Sequence, residues 1–364
     1  MKIITVVGAR PNFVKVAPLC SEFAKHESNI KHILLHTGQH FDKEMSGDFF
    51  HTLLIPQPDI MLGVGSASQT VQTANIMIGL EKVCLEERPD WLIVVGDVNS
   101  TLAASLVAGK MGIKLAHIEA GLRSFDRTMP EELNRKVTDA VADILFTPST
   151  DADENLKGEG IPASRIKLVG NIMIDTLVMN LEKIKSAMPY KKVGLEKKKY
   201  VYVTLHRPSN VDNAEKLTEI INVLEGIEPE YPLILPLHPR TTNRLKEFGL
   251  EERLRGAKGI NILEPVSYID SLSLAKNAKL AITDSGGLQE ETTFLGTPCL
   301  TLRDNTERPV TITYGTNKLT TVGKLGADVS AILQTEDVAP KECKVPYWDG
   351  KTAERIVAFF TSIE

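Results

Sequence analysis

The strongest constraint on the fold is a series of short apolar strands, alternating with helical patterns, that stops near the middle of the chain and then begins again. The predicted strands of the first series are 2–7, 33–36, 91–96 and 114–117. Those of the second series are 200–205, 233–237, 261–263, 280–283 and 299–302. Apolar runs without strict alternation are typical of parallel strands buried between two layers of helices. Each series therefore predicts one doubly wound sheet.

A length of 364 residues also favours two domains over one core. We predict an α/β fold with two Rossmann-like doubly wound domains that face each other across a cleft. The first domain is predicted to comprise residues 1–170 and a C-terminal helix within 350–364, and the second to comprise 171–349. The lysine-rich segment 191–199 precedes the second series, and we interpret it as a solvated linker face.

Charge and cysteine content exclude several classes of protein. A formal net charge of −5 argues against a nucleic-acid partner, since no face has to be basic. The four cysteines are scattered without a CxxC pair, which favours reduced thiols over a disulfide framework or a zinc site. No apolar run reaches the ~20 residues that span a bilayer, and the N-terminus has the pattern of a strand. We therefore expect a cytoplasmic protein without membrane insertion.

Polar residues follow six of the predicted strands closely. In open α/β sheets ligands bind beyond the carboxyl ends of the strands, so these residues are the first candidates for a site. With two such domains, the cleft between them is the expected location. The six residues are Arg10, Asp97, Glu119, His206, His238 and Ser285.

The segment 284–287 has the pattern of an anion-binding turn. Ser285 is expected to cap the following helix, and Gly286 and Gly287 allow a ligand to approach the backbone N–H groups. Glu290 or Glu291, about one turn further along, can accept hydrogen bonds from ribose hydroxyls. A structural turn with a capped helix is the alternative, but the carboxylates favour a sugar-nucleotide site.

The first strand-to-helix turn, 8–11, does not match GxGxxG, so it carries no dinucleotide fingerprint. The absence of this fingerprint argues against tightly bound NAD and hydride transfer. Arg10, and Lys15 one turn later, can neutralise a pyrophosphate. A solvated helix lysine is an equally good interpretation of Lys15 alone.

Three carboxylates are candidates for general acid and base chemistry. Asp97 follows an apolar strand, Glu119 follows another beside Gly121, and Glu131 begins a helix after Pro130. Acidic residues in a first helical turn are often only partners of the helix dipole, and this interpretation suits Glu132.

Three evenly spaced histidines, His32, His36 and His40, do not predict a metal site. Most of that stretch has a strand pattern, which sends side chains to alternate faces, and no acids lie nearby in sequence.

A set of motifs gives the chain a resemblance to a known family. The motifs are GARPNFVKVAPL (8–19), TGQH (37–40), GDVNST (96–101), HIEAGLRS (117–124), PEELNR (130–135), HRPSN (206–210), TDSGGLQEE (283–291) and RDNTERP (303–309). The chain resembles the non-hydrolysing UDP-N-acetylglucosamine 2-epimerases over nearly its whole length. Several such motifs in order are specific, although each alone is weak evidence.

The resemblance implies a two-domain glycosyltransferase-B fold, a homodimer and the reversible conversion of UDP-GlcNAc to UDP-ManNAc. The implied reaction eliminates UDP to give a 2-acetamidoglucal and then adds it back, with the proton delivered to the other face of C2. No NAD or metal is implied.

The resemblance also implies roles for individual residues. Asp97, Glu119 and Glu131 match the family's catalytic acids, and His206 matches its active-site histidine. The implied ligand-binding residues are Arg10, Lys15, Arg135, Val266, Ser285, Gly286, Gly287, Glu291 and Arg308. Asn12 replaces the family's usual glutamate, and Pro208 and Ser209 depart from its usual HRxEN pattern.

Three alternatives stay open from sequence alone. The first is a sister epimerase acting on a modified UDP-diacetamido sugar, such as a uronic acid derivative. The second is a glycosyltransferase of the same fold. The third is a non-catalytic sensor of sugar nucleotides, which the intact set of three acids disfavours.

Overall fold

The structure is a computed structural model that describes residues 1–39, 56–227, 229–335 and 343–363, with the backbone alone described for Arg10 and Pro11. The chain forms two compact units. Unit 1 comprises Met1–Met179 and Pro346–Glu364, and unit 2 comprises Asn180–Val345. The domain limits at residues 170 and 350 stay predictions from the sequence.

Unit 1 contains a parallel sheet of seven strands. The strands are β1 (Lys2–Val7), β2 (Lys31–His36), β3 (Ile60–Met61), β4 (Trp91–Val95), β5 (Lys114–Ile118), β6 (Ile144–Thr147) and β7 (Ile166–Leu168). Their spatial order is β3-β2-β1-β4-β5-β6-β7, which is the Rossmann order. All five residues of β4 are buried, as expected for a central strand covered on both faces.

The helices of unit 1 cover this sheet. They are α1 (Arg10–Ala24), α2 (Gln69–Glu87), α3 (Asn99–Met111), α4 (Pro130–Val141), α5 (Thr150–Gly158), α6 (Ile172–Met179) and the C-terminal helix α16 (Thr352–Ser362). The Ser68 side chain caps the start of α2, and Arg88 ends it in a left-handed conformation.

The C-terminal helix packs into unit 1 through aromatic side chains. Phe360 is fully buried, and its ring contacts those of Phe23, Trp91 and Phe146. Rings that meet edge to face add to the stabilisation from burial alone. Residues at the two ends of the chain therefore share one core.

Unit 2 repeats the architecture with six parallel strands. They are β8 (Val201–Thr204), β9 (Leu233–Pro236), β10 (Ile260–Leu263), β11 (Leu280–Thr283), β12 (Cys299–Leu302) and β13 (Asn317–Thr320). The order β10-β9-β8-β11-β12-β13 is again the Rossmann order. The predicted class of two Rossmann-like doubly wound units is confirmed.

The helices of unit 2 lie between and after these strands. They are α7 (Leu181–Ser186), α8 (Pro208–Val211), α9 (Ala214–Glu225), α10 (Pro239–Glu247), α11 (Glu251–Gly256), α12 (Tyr268–Asn277), α13 (Gly286–Leu295), α14 (Val310–Thr313) and α15 (Val322–Leu333). Two 3-10 helices, Ala163–Arg165 in unit 1 and Pro189–Val193 in unit 2, complete the elements of the described chain. Within the described ranges, no helix is long and apolar enough to cross a membrane.

Candidate active site

Each sheet has a point where the chain reverses its direction of travel across the strands. In unit 1 this point lies between β1 and β4, and in unit 2 between β8 and β11. Loops at the carboxyl ends of the two strands diverge there and leave a crevice in which α/β proteins bind ligands. Asp97 follows β4, and His206 and Ser285 follow β8 and β11, so these predicted residues lie at the switch points.

Close packing of side chains against Gly8 constrains the turn after β1. A Cβ atom at Gly8 would lie 1.9 Å from the Ser100 hydroxyl oxygen, so only glycine fits. The Asn12 amide oxygen accepts the N–H of Ala9 at 3.1 Å, and its amide nitrogen donates to the Val95 carbonyl at 2.9 Å. Asn12 thus ties the turn after β1 to the end of β4. Arg10 is the first residue of α1, but its side chain lies outside what the structure describes.

Lys15 and Glu119 form a buried ion pair between the Lys15 ammonium group and Oε2 of Glu119. A Cβ atom at Gly96 would lie 3.2 Å from this ammonium nitrogen and 3.3 Å from the carboxylate oxygen. The pair therefore sits against the backbone at the end of β4. Lys15 is only 8% exposed, which excludes the interpretation as a solvated helix lysine.

Glu119 has a φ of +72°, in the left-handed region that non-glycine residues rarely occupy. Such a conformation costs on the order of 1–3 kcal/mol and persists only where the surroundings enforce it. Both the Glu119 and the Ala120 N–H groups donate to the Phe146 carbonyl of β6, at 3.0 and 3.1 Å. In this conformation the Glu119 carboxylate lies against Lys15 and Gly96.

Asp97 pairs with Arg135 of α4, where Nη2 lies 2.6 Å from Oδ2 of Asp97. The second guanidinium nitrogen, Nη1, donates to Glu132 at 2.8 Å. The Glu132 carboxylate also accepts the N–H and the hydroxyl group of Ser124, both at 2.9 Å. Glu132 thus has a structural role, but it orients Arg135, whereas the sequence predicted only a partner of the helix dipole.

Glu131 is the second residue of the same helix and is half-buried. Unlike the carboxylates of Asp97 and Glu119, its carboxylate forms no hydrogen bond or ion pair with another residue of the described chain. The three predicted acids therefore all belong to unit 1, and the structure gives two of them a cationic partner.

His206 and Asp284 hold the switch point of unit 2 together. Nδ1 of His206 lies 2.9 Å from Oδ1 of Asp284, and the Arg207 N–H donates to Oδ2 at 2.9 Å. Burial opposes ionisation of Asp284, but the bond and charge of His206 outweigh it and lower the pKa of the carboxyl below its usual value. Asp284 follows β11 directly, and this position at the carboxyl end of a strand is the sequence signal that marks it as a site residue.

The helix α13 begins at Gly286, beside the guanidinium group of Arg308. A Cβ atom at Gly286 would lie 2.8 Å from Nη1 of Arg308, so a side chain there would displace the guanidinium group. Backbone N–H groups at a helix start and an adjacent arginine are suited to bind a diphosphate. Nε of Arg308 is also paired with Glu290 at 2.7 Å, a contact the sequence did not predict.

The expectation that the Ser285 side chain caps this helix is wrong. Ser285 is the N-cap residue, but its hydroxyl makes no capping hydrogen bond. The turn is held instead by the Ser285 N–H, which donates to the Thr283 hydroxyl at 3.0 Å. Gly287 follows within the first turn of α13, and both glycines are partly exposed.

Glu291 is buried one turn further along α13. Burial raises the pKa of this carboxyl to about 8, with the Tyr268 hydroxyl opposing the rise and the charge of Glu290 adding to it. Glu291 is therefore mostly protonated at neutral pH while no ligand is bound.

Val266, the predicted contact for uracil, lies in the loop between β10 and α12, two residues before Tyr268.

The histidines of the β2 region have structural contacts. The His32 ring stacks on Phe23 and bonds to the Thr5 hydroxyl at 2.8 Å, and the His36 ring stacks on Phe13. His40 lies outside the described residues. In the part of the chain that the structure describes, no group of three or more His, Cys, Asp or Glu side chains is placed to hold a metal ion.

Comparison with known proteins identifies the family. A family model described as UDP-N-acetylglucosamine 2-epimerase matches residues 22–361. The chain belongs to the UDP-N-acetylglucosamine 2-epimerase family. The resemblance seen in the sequence motifs is thereby confirmed.

Within the UDP-N-acetylglucosamine 2-epimerase family, the chain is 42% identical to the UDP-N-acetylglucosamine 2-epimerase of Methanocaldococcus jannaschii, over 99% of both chains. It is 41% identical to the UDP-2,3-diacetamido-2,3-dideoxy-D-glucuronate 2-epimerase of Pseudomonas aeruginosa, over 88% of both chains. The crystal structure of the M. jannaschii enzyme in complex with UDP-GlcNAc and UDP matches with a TM-score of 0.89 over 100% of both chains.

Proposed function

We propose that this chain interconverts UDP-N-acetylglucosamine and UDP-N-acetylmannosamine by eliminating UDP and adding it back. The observation that carries the proposal is the pair of carboxylates at the ends of the adjacent strands β4 and β5, each bound to a cation. The M. jannaschii relative that carries the epimerase name supplies the substrate class.

The reaction proceeds through two balanced steps. A base removes the proton on C2, the electron pair forms the C1–C2 double bond, and the C1–O bond breaks as UDP leaves. The resulting 2-acetamidoglucal then takes UDP back at C1 and a proton on the opposite face of C2. No carbonyl activates the C2 proton, so its removal must be coupled to the departure of UDP.

The acids of unit 1 move the protons in this proposal. Asp97, Glu119 and Glu131 are the candidate acids and bases, and the neighbouring Lys15 and Arg135 are ligand-binding cations that also fix the carboxylates. Proton transfer by positioned side chains contributes typically 10²–10⁴-fold to an enzymatic rate.

The residues of unit 2 bind the UDP portion. Ser285, Gly286, Gly287 and Arg308 hold the diphosphate, and His206 stabilises its charge as it leaves. Glu291 accepts the ribose hydroxyls, and the backbone near Val266 contacts uracil. Arg10 of unit 1 completes the set of ligand-binding residues.

Product analysis tests the proposal. Incubation with UDP-GlcNAc is expected to give UDP-ManNAc without added NAD, and long incubation should release UDP together with the 2-acetamidoglucal. A transferase would release UDP only with an acceptor, and a sensor would form no product.

A second candidate substrate is a UDP-2,3-diacetamido-2,3-dideoxy uronate, because the P. aeruginosa relative that carries this name is almost as similar as the M. jannaschii one. A uronate carries an additional carboxylate that needs a cationic partner in the sugar subsite. Turnover of this compound with no turnover of UDP-GlcNAc would select the second candidate.

The protein is further proposed to form a homodimer through α2. Val71, Ile78 and Leu85 lie on one face of this helix at spacings of seven residues, and their exposed fractions are 51%, 57% and 63%. A stripe of apolar side chains on a helix surface is suited to pack against a second copy. A cytoplasmic location stays a prediction from the sequence.

A further inference from the structure

His117 is a fully buried histidine whose two ring nitrogens both face oxygen atoms. It lies on β5, two residues before Glu119, and its side chain is 0% exposed. Nε2 lies 2.8 Å from the Gly96 carbonyl oxygen, and Nδ1 lies 2.6 Å from Oδ1 of Asp139. A carbonyl oxygen can only accept, so Nε2 carries a hydrogen.

Asp139 on α4 faces donors on both of its oxygens. Oδ2 accepts the Gly121 N–H at 3.1 Å and lies 2.7 Å from Nη1 of Arg123. Burial opposes ionisation, but His117 and Arg123 outweigh it and lower the pKa of Asp139 below its usual value. The Arg123 guanidinium and the Gly121 N–H hold this carboxylate in its ionised form, which can only accept, so Nδ1 of His117 donates to it.

These contacts hold the chain on both sides of Glu119. Asp139 binds the His117 side chain before it and the Gly121 backbone after it, and between them Glu119 adopts its left-handed conformation. The same ring donates from Nε2 to the carbonyl of Gly96, the residue immediately before Asp97. The Asp139 carboxylate therefore binds the backbone near Glu119 directly and is linked to the backbone next to Asp97 through His117.

We propose that Asp139 and the doubly protonated His117 are positioning residues that hold Glu119 and Asp97 in their reactive placement. The inference rests on the proposed function and adds residues that touch no substrate atom. Misplacing a reacting group by about 1 Å can cost about 10²-fold in rate, so the pair should affect turnover more than ligand binding.

Two substitutions of His117 separate its two bonds. In His117→Gln the terminal amide nitrogen lies near the place of Nε2 and retains a donor for Gly96. In His117→Asn it lies near the place of Nδ1 and retains only the bond to Asp139. We expect kcat to fall about 100-fold in His117→Asn and in Asp139→Asn, and clearly less in His117→Gln.

The affinity for UDP distinguishes a positioning role from general damage to the fold, because such damage would also weaken UDP binding. The dissociation constant of UDP should stay within about twofold in all three variants, since the proposed UDP contacts belong mostly to unit 2. Asp175→Asn is the matched control, because Asp175 is a buried carboxylate of unit 1 that binds α16, and its kcat should be unchanged. Unchanged kcat in His117→Asn, or an equal loss of kcat and of UDP affinity, overturns the inference.

A measurement on the wild-type protein needs no variant to fold. Nitrogen-15 NMR of histidine-labelled protein should show both ring nitrogens of His117 bonded to hydrogen, and the signal is assigned by its loss in His117→Gln. A neutral ring overturns the inference. Failure of the proposed function is distinct from this result, since it appears as wild-type protein that forms no product from UDP-GlcNAc.

Discussion

At the scale of single residues, the charged side chains of the site are paired with side chains of opposite charge. Glu119 is paired with Lys15, and Asp97 with Arg135, which is itself oriented by Glu132. Removing one member of a buried pair leaves an uncompensated charge, which costs more than losing the contact itself. Amide substitutions also remove the negative charge, but they keep the shape and an acceptor oxygen for the cation, so they disturb the site less than truncation does.

Asp97→Asn and Glu131→Gln should each lose at least about 100-fold in turnover, because an amide cannot take up or deliver the proton. UDP affinity, measured by calorimetry, should stay near that of the wild type. Glu132→Gln is the comparison on the same helix, and it should act through stability and the placement of Arg135. Full turnover in either of the first two variants would remove that residue from the list of acids.

Glu291 predicts a pH dependence of ligand affinity. Its pKa is raised to about 8 by burial, whereas ribose hydroxyls donate best to the ionised carboxylate. Binding below pH 8 must therefore displace a proton, and affinity should fall as the pH is lowered, by at most about tenfold per pH unit.

Titration of the Asp97→Asn protein with UDP-GlcNAc between about pH 6.5 and 8.5 tests this expectation. Calorimetry in two buffers with different ionisation enthalpies reports the proton released. The added change Glu291→Gln should abolish the pH dependence, because the amide does not titrate. Equal slopes with and without this change would show that another group is responsible.

At the scale of elements, the C-terminal helix α16 is joined to unit 1 through a buried acid. The Asp175 carboxylate on α6 accepts the Ala353 N–H of the first turn of α16 at 2.7 Å. Burial raises the pKa of Asp175 to about 6. Since the folded pKa lies above the unfolded value, this contribution to the free energy of unfolding is complete below about pH 4 and is lost as the pH rises through 6.

Asp175→Asn stays uncharged at every pH and should keep that contribution. The variant should therefore gain stability relative to the wild type between pH 5 and pH 8 by about 1.4 kcal/mol, since pH 5 lies one unit below the folded pKa and each pKa unit corresponds to ~1.4 kcal/mol. Denaturant unfolding at the two pH values measures the change. A difference between variant and wild type that is the same at both pH values would exclude Asp175 as the titrating group.

Strand positions could be predicted from the sequence for only part of each sheet. Apolar runs placed β4, β11 and β12 within a residue of their observed ends, because strands that are buried on both faces consist mostly of apolar residues. Four short or less apolar strands were missed, namely β3, β6, β7 and β13. These strands occupy the sheet edges or the positions next to them, where composition is less restricted.

At the scale of the whole molecule, the repetition of the Rossmann-like architecture in two units could be predicted from the sequence. The rule that ligands bind at strand ends brought out Asp97, Glu119, His206 and Ser285 from a single sequence. The partners of these residues were not predictable, because the contacts of Glu119 with Lys15 and of His206 with Asp284 join segments far apart in the chain. The left-handed backbone of Glu119 also has no signature in composition, since glycine is the residue expected there.

The proposed dimer is a prediction at this scale. Replacing Ile78 and Leu85 together by glutamate should give a monomer in sedimentation or light-scattering measurements, because desolvating two carboxylates opposes packing of the stripe. Ile312→Glu, an exposed apolar residue of unit 2, is the control and should leave the oligomer intact. A wild-type monomer, or a dimer that survives both substitutions, would contradict the role of α2.

The central claim is that the bond between C2 and its hydrogen breaks while UDP leaves and returns. The most direct test is incubation of wild-type protein with UDP-GlcNAc in deuterated water, followed by NMR at C2. The account predicts deuterium at C2 of the UDP-ManNAc formed, and also at C2 of the recovered UDP-GlcNAc as the reaction reverses. Formation of UDP-ManNAc with the original hydrogen retained at C2, or no exchange with any UDP-N-acetylhexosamine, would contradict it.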